Sequence, residues 1–158
     1  MSDHVKTVRH RIATLAEHHA SEGLTSIHHY LDKWWLAEAY RQIAAGKAPG
    51  IDGVTKAEYG EGLSHRLEDL VNRVRSRSYK APPVKRAQIP KGNGEYRNLG
   101  LPTLEDKVLQ KSFVMLVEPI FEREFYDCSY GFRAGRNPHQ AVKALHKKVG
   151  DRGMHWVI

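Results

Sequence analysis

Lys91 and Arg97 lie six residues apart, on either side of a Gly-Asn-Gly turn at residues 92–94. The runs before and after the turn are typical of strands, and the glycines permit a tight bend, so the pattern predicts a β-hairpin. Across a hairpin, an arginine that binds two oxygens and a mobile lysine charge can converge on one phosphate group. Lys85 and Arg86 extend the basic surface. The pattern indicates binding to a polyphosphate or a nucleic-acid backbone, and a solvated hairpin with charged flanks fits it equally well.

A second basic cluster is the loop at residues 129–136, SYGFRAGR, which interleaves arginines with aromatic residues and glycines. Tyr130 and Phe132 could stack on bases while Arg133 and Arg136 bind phosphates. In the alternative, the aromatic side chains hold the loop to the core and the arginines face water. We expect a mixture in which the aromatic residues are mainly structural.

The loop at residues 47–53, KAPGIDG, is a third candidate for binding. Its glycines, including Gly50, allow close approach of the backbone to a ligand. Asp52 could cap a helix, coordinate a ligand or shape the turn. A turn-forming aspartate is the favoured interpretation.

The composition narrows the class of protein. The 158 residues carry 25 Lys and Arg against 18 Asp and Glu, a formal net charge of +7 that favours a polyanionic partner. No apolar run approaches the ~20 residues of a membrane span, and the N-terminal sequence has no signal-peptide core. The single cysteine, Cys128, is expected to be a buried free thiol, which fits a cytoplasmic protein. No phosphate-loop, serine-hydrolase or zinc-protease motif is present.

The elements that must position these residues are mostly helical, so the predicted fold class is α+β. Apolar spacing predicts helices at residues 10–20, 33–45, 63–77 and 119–125, with Asp32 as the cap of the second. Capping-box patterns at residues 55–58 and 103–106, the latter with Asp in place of the usual Glu, and a cap at Asn137 predict three further helices. Strands are predicted at residues 84–89 and 95–100, with a buried one at residues 154–158. Pro119 is expected to end the helix that begins at Thr103. Trp34 and Trp35 are expected in the core rather than as stacking platforms.

Four segments, in order, resemble the group II intron reverse transcriptase/maturase family. They are residues 47–55 (KAPGIDGVT), 82–110 (PPVKRAQIPKGNGEYRNLGLPTLEDKVLQ), 118–125 (EPIFEREF) and 129–142 (SYGFRAGRNPHQAV). The resemblance implies an N-terminal helical extension at residues 1–32 and an incomplete reverse transcriptase fingers region at residues 33–158. That region would be a mostly helical fingers subdomain with one β-hairpin and a truncated first palm strand.

The resemblance also implies roles for individual residues in RNA-directed DNA synthesis. Lys91 and Arg97 would contact the triphosphate of the incoming nucleotide. The residues expected to bind the template or other RNA are Lys85, Arg86, Gly94, Asn98, Gly50, Asp52, Arg133 and Arg136. No catalytic residue, metal ligand or cofactor is expected in this portion. Mg²⁺ is expected for the complete enzyme, whose first metal-binding aspartate would follow residue 158, so the chain is expected to be inactive alone.

The expected partners are intron or template RNA, an RNA–DNA primer-template and a deoxynucleoside triphosphate, with no membrane. The apolar strand at residues 154–158 could also mediate self-association. Three alternatives stay open: a stand-alone basic RNA-binding module, a remnant reading frame, and a fragment of a CRISPR-associated or other group II-like reverse transcriptase.

Overall fold

The computed structural model describes residues 2–18 and 26–152. Its elements are α1 (Asp3–His18), α2 (Lys33–Gln42), α3 (Lys56–Gly60), α4 (Leu63–Arg75), β1 (Lys85–Pro90), β2 (Tyr96–Leu101), α5 (Leu104–Glu124) and α6 (Pro138–Arg152). A 3₁₀ turn, His28–Tyr30, precedes α2. The two strands pair antiparallel, so the predicted α+β class with one hairpin is confirmed. The strand predicted at residues 154–158 lies outside the described residues.

The chain divides into two compact units, Met1–Pro119 and Ile120–Ile158. The first contains α1 to α4, the hairpin and most of α5. The second contains the end of α5, the loop after it and α6. The boundary expected between residues 32 and 33 stays a prediction.

Trp35 is at the centre of the first unit's core. Its side chain is completely buried, and its indole N–H donates to the backbone oxygen of Ser112 at 3.0 Å, which joins α2 to α5. Buried apolar residues at helical spacing surround it: Val5, Val8 and Ile12 of α1, Leu36 and Ala39 of α2, Leu67, Leu70 and Val71 of α4, and Leu104, Val108, Leu109, Met115 and Leu116 of α5. Each of these helices therefore places one apolar stripe in a shared core.

Short polar motifs fix where several helices begin. The carboxylate of Asp32 accepts from the N–H of Trp35 at 2.7 Å and caps α2. Thr55 and Glu58 form a complete capping box at the start of α3. Both caps were predicted from residue type and spacing alone, because a cap satisfies backbone groups only three residues away.

Pro119 lies inside α5, so the prediction that it ends this helix is wrong. Proline has no N–H and removes one backbone hydrogen bond, the one to the carbonyl of Met115. Met115 is only 1% exposed, and Glu118 pairs with Arg9 of α1 at 2.8 Å. These contacts hold the turn before the proline, and α5 continues to Glu124.

Two burial predictions are also wrong. Trp34 is 64% exposed while its neighbour Trp35 is buried. Each residue turns the helix by about 100°, so Trp34 lies about 200° from the buried Leu36, on the far side of Trp35 and outside the core-facing stripe. Cys128 is exposed rather than buried.

Candidate nucleic-acid interface

The register of the hairpin decides which side chains share a face. Ile89 lies opposite Arg97, and Pro90 lies opposite Tyr96. The N–H of Lys91 donates to the backbone oxygen of Glu95 at 2.8 Å, which extends the same register by one pair. Side chains alternate between faces along a strand, and directly opposed residues share one.

The hairpin therefore has two faces of different character. The Lys91/Arg97 face consists of Lys85, Ala87, Ile89, Lys91, Glu95, Arg97, Leu99 and Leu101. The Tyr96 face consists of Val84, Arg86, Gln88, Pro90, Tyr96, Asn98 and Gly100.

Lys91 and Arg97 are diagonal neighbours on one face, as the sequence predicts. Diagonal pairs of this kind lie roughly 7–8 Å apart, within reach of two long side chains. The ammonium group of Lys91 pairs with the carboxylate of Glu95 at 3.2 Å, and both side chains are about half exposed or more. Arg97 makes no side-chain hydrogen bond or ion pair with any other described residue. Lys91 is thus held only by an exposed ion pair, and Arg97 has no side-chain partner among the described residues.

The residues expected to bind RNA are divided between the two faces. Lys85 lies on the Lys91/Arg97 face, whereas Arg86 and Asn98 lie on the Tyr96 face. Gly94 is in the turn with a φ of 83°, a conformation that favours glycine. A single ligand surface on the hairpin cannot include all four.

The root of the hairpin is braced by a cluster of hydrogen bonds that the sequence reasoning missed. The Tyr79 hydroxyl donates to one carboxylate oxygen of Asp106 at 3.1 Å, and Gln110 donates to the other at 2.7 Å. Arg73 binds the Glu105 carboxylate through two nitrogens, at 3.0 and 2.8 Å. These bonds connect the chain just before the hairpin to the chain just after it.

Electrostatics at the root favour a neutral tyrosine and a charged arginine. Burial, then the nearby Asp106 carboxylate, raises the pKa of Tyr79 far above its ordinary value. The hydrogen bonds that Arg73 donates to the Glu105 carboxylate make the largest contribution and raise the pKa of Arg73. Tyr79 therefore stays neutral and Arg73 stays charged across the neutral range.

Thr103 and Asp106 realise only half of the predicted capping box. The Thr103 hydroxyl accepts from the N–H of Asp106 at 3.3 Å. The Asp106 carboxylate bonds Tyr79 and Gln110 instead. Asp106 has one methylene fewer than the glutamate of a usual capping box. This difference was the signal in the sequence that its carboxylate could bind a partner elsewhere.

The loop at residues 47–53 packs against the start of α5. A Cβ added to Gly50 would lie 2.6 Å from the Cα of Thr103, so glycine is required by contact with this protein's own backbone. Asp52 accepts from the N–H of Val54 at 3.3 Å and shapes the turn, the interpretation favoured from the sequence. Lys107 donates to the backbone oxygen of Ala48 at 3.0 Å. This loop is thereby fixed to α5 immediately after the hairpin.

In the second unit, Arg133, one of the two arginines expected to bind RNA, is held by hydrogen bonds to neighbouring protein groups. The Arg133 side chain is only 6% exposed. Its nitrogens donate to the Glu122 carboxylate and backbone oxygen, and to the backbone oxygens of Tyr126 and Ser129. The hydrogen bond to Glu122 raises the pKa of Arg133, and the same bond lowers the pKa of Glu122. All three guanidinium nitrogens therefore have protein acceptors.

Phe132 contradicts the expectation that the aromatic residues of this loop are mainly structural, whereas Tyr130 is half-buried. Phe132 is fully exposed and has a φ of 58°, so its ring does not anchor the loop. Arg136 lies 5.2 Å from the ring centre of Tyr130 and 3.6 Å from the Asp127 carboxylate. Arg136 keeps part of its side chain open to solvent, unlike Arg133.

Neither a metal cluster nor a membrane-spanning helix occurs in the described part of the chain. No three His, Cys, Asp or Glu side chains of residues 2–18 and 26–152 lie close enough to hold one ion. The described residues therefore do not form a Mg²⁺ site. None of the described helices is both long enough and apolar enough to cross a bilayer.

Comparison with curated proteins defines the family. The chain is 39% identical over 130 residues to Protein YkfC of Escherichia coli, covering 78% of this chain and 34% of that protein. It is 29% identical over 153 residues to the group II intron-encoded protein LtrA of Lactococcus lactis subsp. cremoris, covering 94% and 25%. It is 41% identical over 57 residues to nuclear intron maturase 1, mitochondrial, of Arabidopsis thaliana, covering 36% and 8%.

LtrA and the Arabidopsis maturase share one class, that of proteins encoded by introns or named for them. The chain belongs to the family of group II intron-encoded proteins and maturases. It spans about a third of YkfC and a quarter of LtrA. No protein-family model matches the chain.

Proposed function

We propose that this chain is the RNA- and nucleotide-binding part of a group II intron-type reverse transcriptase, and that the hairpin is its contact surface. The observation that carries the proposal is the shared face of Lys91 and Arg97, on which Arg97 has no described partner. A guanidinium and an ammonium at this spacing suit the oxygens of a triphosphate.

The charge of the hairpin supports a polyanionic ligand. Four cations, Lys85, Arg86, Lys91 and Arg97, stand against one acid, Glu95. The Lys91–Glu95 pair is exposed, and pairs of this kind contribute little, so a phosphate can replace the carboxylate. Release of counterions from an RNA or primer-template would add to the affinity and make it depend on salt.

The names of the relatives favour intron RNA as one ligand. Template RNA, an RNA–DNA primer-template and a deoxynucleoside triphosphate are the further ligands of the proposal. Mg²⁺ would serve the complete enzyme, in which clustered carboxylates hold two ions. We propose that the 158-residue chain binds in the cytoplasm and does not polymerise alone.

The test compares the parent chain with Lys91→Ala/Arg97→Ala. A labelled RNA–DNA primer-template and a fluorescent deoxynucleoside triphosphate are titrated across a salt series, with a primer-extension reaction on the same samples. We expect at least a tenfold loss of triphosphate affinity, about 1.4 kcal/mol, and a shallower salt dependence for the primer-template. Arg11→Ala/Lys147→Ala removes the same formal charge outside the hairpin and should change triphosphate affinity about twofold or less.

Equal affinity of the parent and the hairpin variant at every salt concentration would show that the hairpin is not the contact surface. Primer extension by the chain would contradict the proposed inactivity.

A further inference from the structure

The Tyr96 face of the hairpin carries a second set of side chains suited to a ligand. Tyr96 is 62% exposed near the tip. Gln88 and Asn98 lie directly opposite each other in the middle, and Arg86 lies opposite Gly100 nearer the root. An aromatic ring, two amides and a guanidinium thus follow one another along one open face.

None of these four polar side chains bonds to another residue in the part of the chain that the structure describes. Within residues 2–18 and 26–152, the side chains of Arg86, Gln88, Tyr96 and Asn98 have no hydrogen bond or ion pair with another residue. Arg133, by contrast, is saturated with protein acceptors. Four exposed side chains with unused bonding capacity on one sheet face are available to an external partner.

The chemistry of the face identifies the partner. We infer that the Tyr96 face binds the bases of single-stranded RNA, while the Lys91/Arg97 face binds triphosphate. A tyrosine ring stacks on an unpaired base, and amides donate to and accept from base edges. Arg86 supplies a charge for the backbone, and the hairpin's one acid, Glu95, lies on the opposite face. Paired RNA is excluded as the preferred ligand because its bases are stacked inside the duplex.

The dimensions of the face suit a short single strand. Arg86 and Pro90 are four residues apart on β1, a span of roughly 13 Å. Gly100 has no side chain, and a Cβ there would lie 3.3 Å from Val84. The surface beside Arg86 is therefore low, and the guanidinium has no side chain opposite it. A strand of RNA could place one base on Tyr96 and its phosphates toward Arg86.

The inference rests on the proposed function only in requiring that the hairpin bind RNA, and its test separates the two. Fluorescence anisotropy of the full chain would use an oligouridine of about 12 nucleotides and an abasic RNA of equal length. Tyr96→Ala should weaken binding to oligouridine about fivefold or more, because the variant has no ring to stack on a base. Tyr96→Phe keeps the ring and should bind like the parent.

Three controls make the outcome specific. Binding to the abasic RNA should be equal for Tyr96→Ala and the parent, because no base is present to stack. Triphosphate affinity should be unchanged, because Lys91 and Arg97 lie on the other face. Tyr126→Ala removes another tyrosine, 82% exposed, and should leave oligouridine binding intact.

Oligouridine binding that is equal in Tyr96→Ala and the parent overturns the inference, as does a parent that does not bind oligouridine. If Tyr96→Ala changes the mass measured by sedimentation but not the RNA affinity, the Tyr96 face contacts a second copy of the chain. That result would also overturn the inference. Loss of triphosphate binding in Lys91→Ala/Arg97→Ala with no effect of Tyr96→Ala would leave the proposed function standing alone. The reverse pattern would retain the Tyr96 face and remove the triphosphate site.

Discussion

The hydroxyl of Tyr79 and the carboxylate of Asp106 are bonded at 3.1 Å although they are 27 residues apart in the chain. One precedes the hairpin and the other follows it, so their bond closes the root. Asp106 is buried, at 7% exposure, and buried carboxylates need their hydrogen bonds. The positions of Lys91 and Arg97 relative to the helices thus depend on residues that contact no ligand.

Tyr79→Phe should lower the free energy of unfolding by about 1–2 kcal/mol, because the buried carboxylate of Asp106 loses one donor. Urea denaturation followed by circular dichroism measures this. Tyr126→Phe, at an exposed tyrosine, should change nothing. Equal stability of Tyr79→Phe and the parent would mean that the root bond contributes little in solution.

Tyr59→Phe should have the opposite effect and raise the free energy of unfolding by about 1 kcal/mol. The Tyr59 hydroxyl is buried and has no hydrogen-bond partner among the described residues. Phenylalanine fills the same space without the unpaired hydroxyl. The same urea titration checks it, and a decrease would show that the hydroxyl is satisfied in solution.

Stability should fall in the alkaline range. Burial raises the pKa of Tyr59 and of Tyr79 above the value of about 10 for an unfolded chain. The unfolded state then loses these protons first as pH rises, so the stabilisation is complete below about pH 10 and declines above it. Urea midpoints from pH 8 to 11 should decline less steeply for Tyr59→Phe/Tyr79→Phe than for the parent. If the urea midpoints of the variant and the parent decline in parallel with pH, the raised pKa values of Tyr59 and Tyr79 are contradicted.

Gly50→Ala should destabilise the chain by roughly 1–3 kcal/mol, because the new methyl group overlaps the backbone of Thr103. Gly131→Ala is the matched control, since no atom lies within 4 Å of its added Cβ. Thermal unfolding of the two variants should separate them clearly. If they unfold together, the loop at residues 47–53 does not pack on α5 as described.

Arg133→Lys should loosen the loop without reducing RNA affinity. A lysine keeps the charge but cannot span Glu122, Tyr126 and Ser129 together. Hydrogen exchange should speed up in this loop, while primer-template affinity changes about twofold or less. Arg136→Lys should perturb exchange less because Arg136 has fewer contacts. Lost RNA affinity with unchanged exchange would restore Arg133 as an RNA contact.

Local features of the fold could be predicted from the sequence because their causes are local. Asp32, Thr55 and Asn137 cap helices through bonds to residues three positions away. The Gly-Asn-Gly turn fixes the hairpin, and the register that follows puts Lys91 and Arg97 on one face. Counting alternate residues from that turn would also have identified the residues of the Tyr96 face.

Features that depend on distant contacts could not be predicted in this way. Nothing in the spacing of Tyr79 and Asp106 indicates their bond. Phe132 and Arg133 exchange their expected environments because Glu122, eleven residues earlier, accepts from the arginine. Pro119 stays helical because neighbouring residues are held by α1 and the core.

Among the described residues, the side-chain bonds that brace the hairpin lie at its root, between the Arg73–Tyr79 end and the Glu105–Asp106 end. Such an element behaves as a cantilever, in which small angular fluctuations at the base become larger displacements toward the free end. The amplitude of motion should therefore increase from Lys85 to Gly94, carrying Lys91 and Tyr96 with it. The tip can yield as a ligand arrives and departs while the helices below keep their packing.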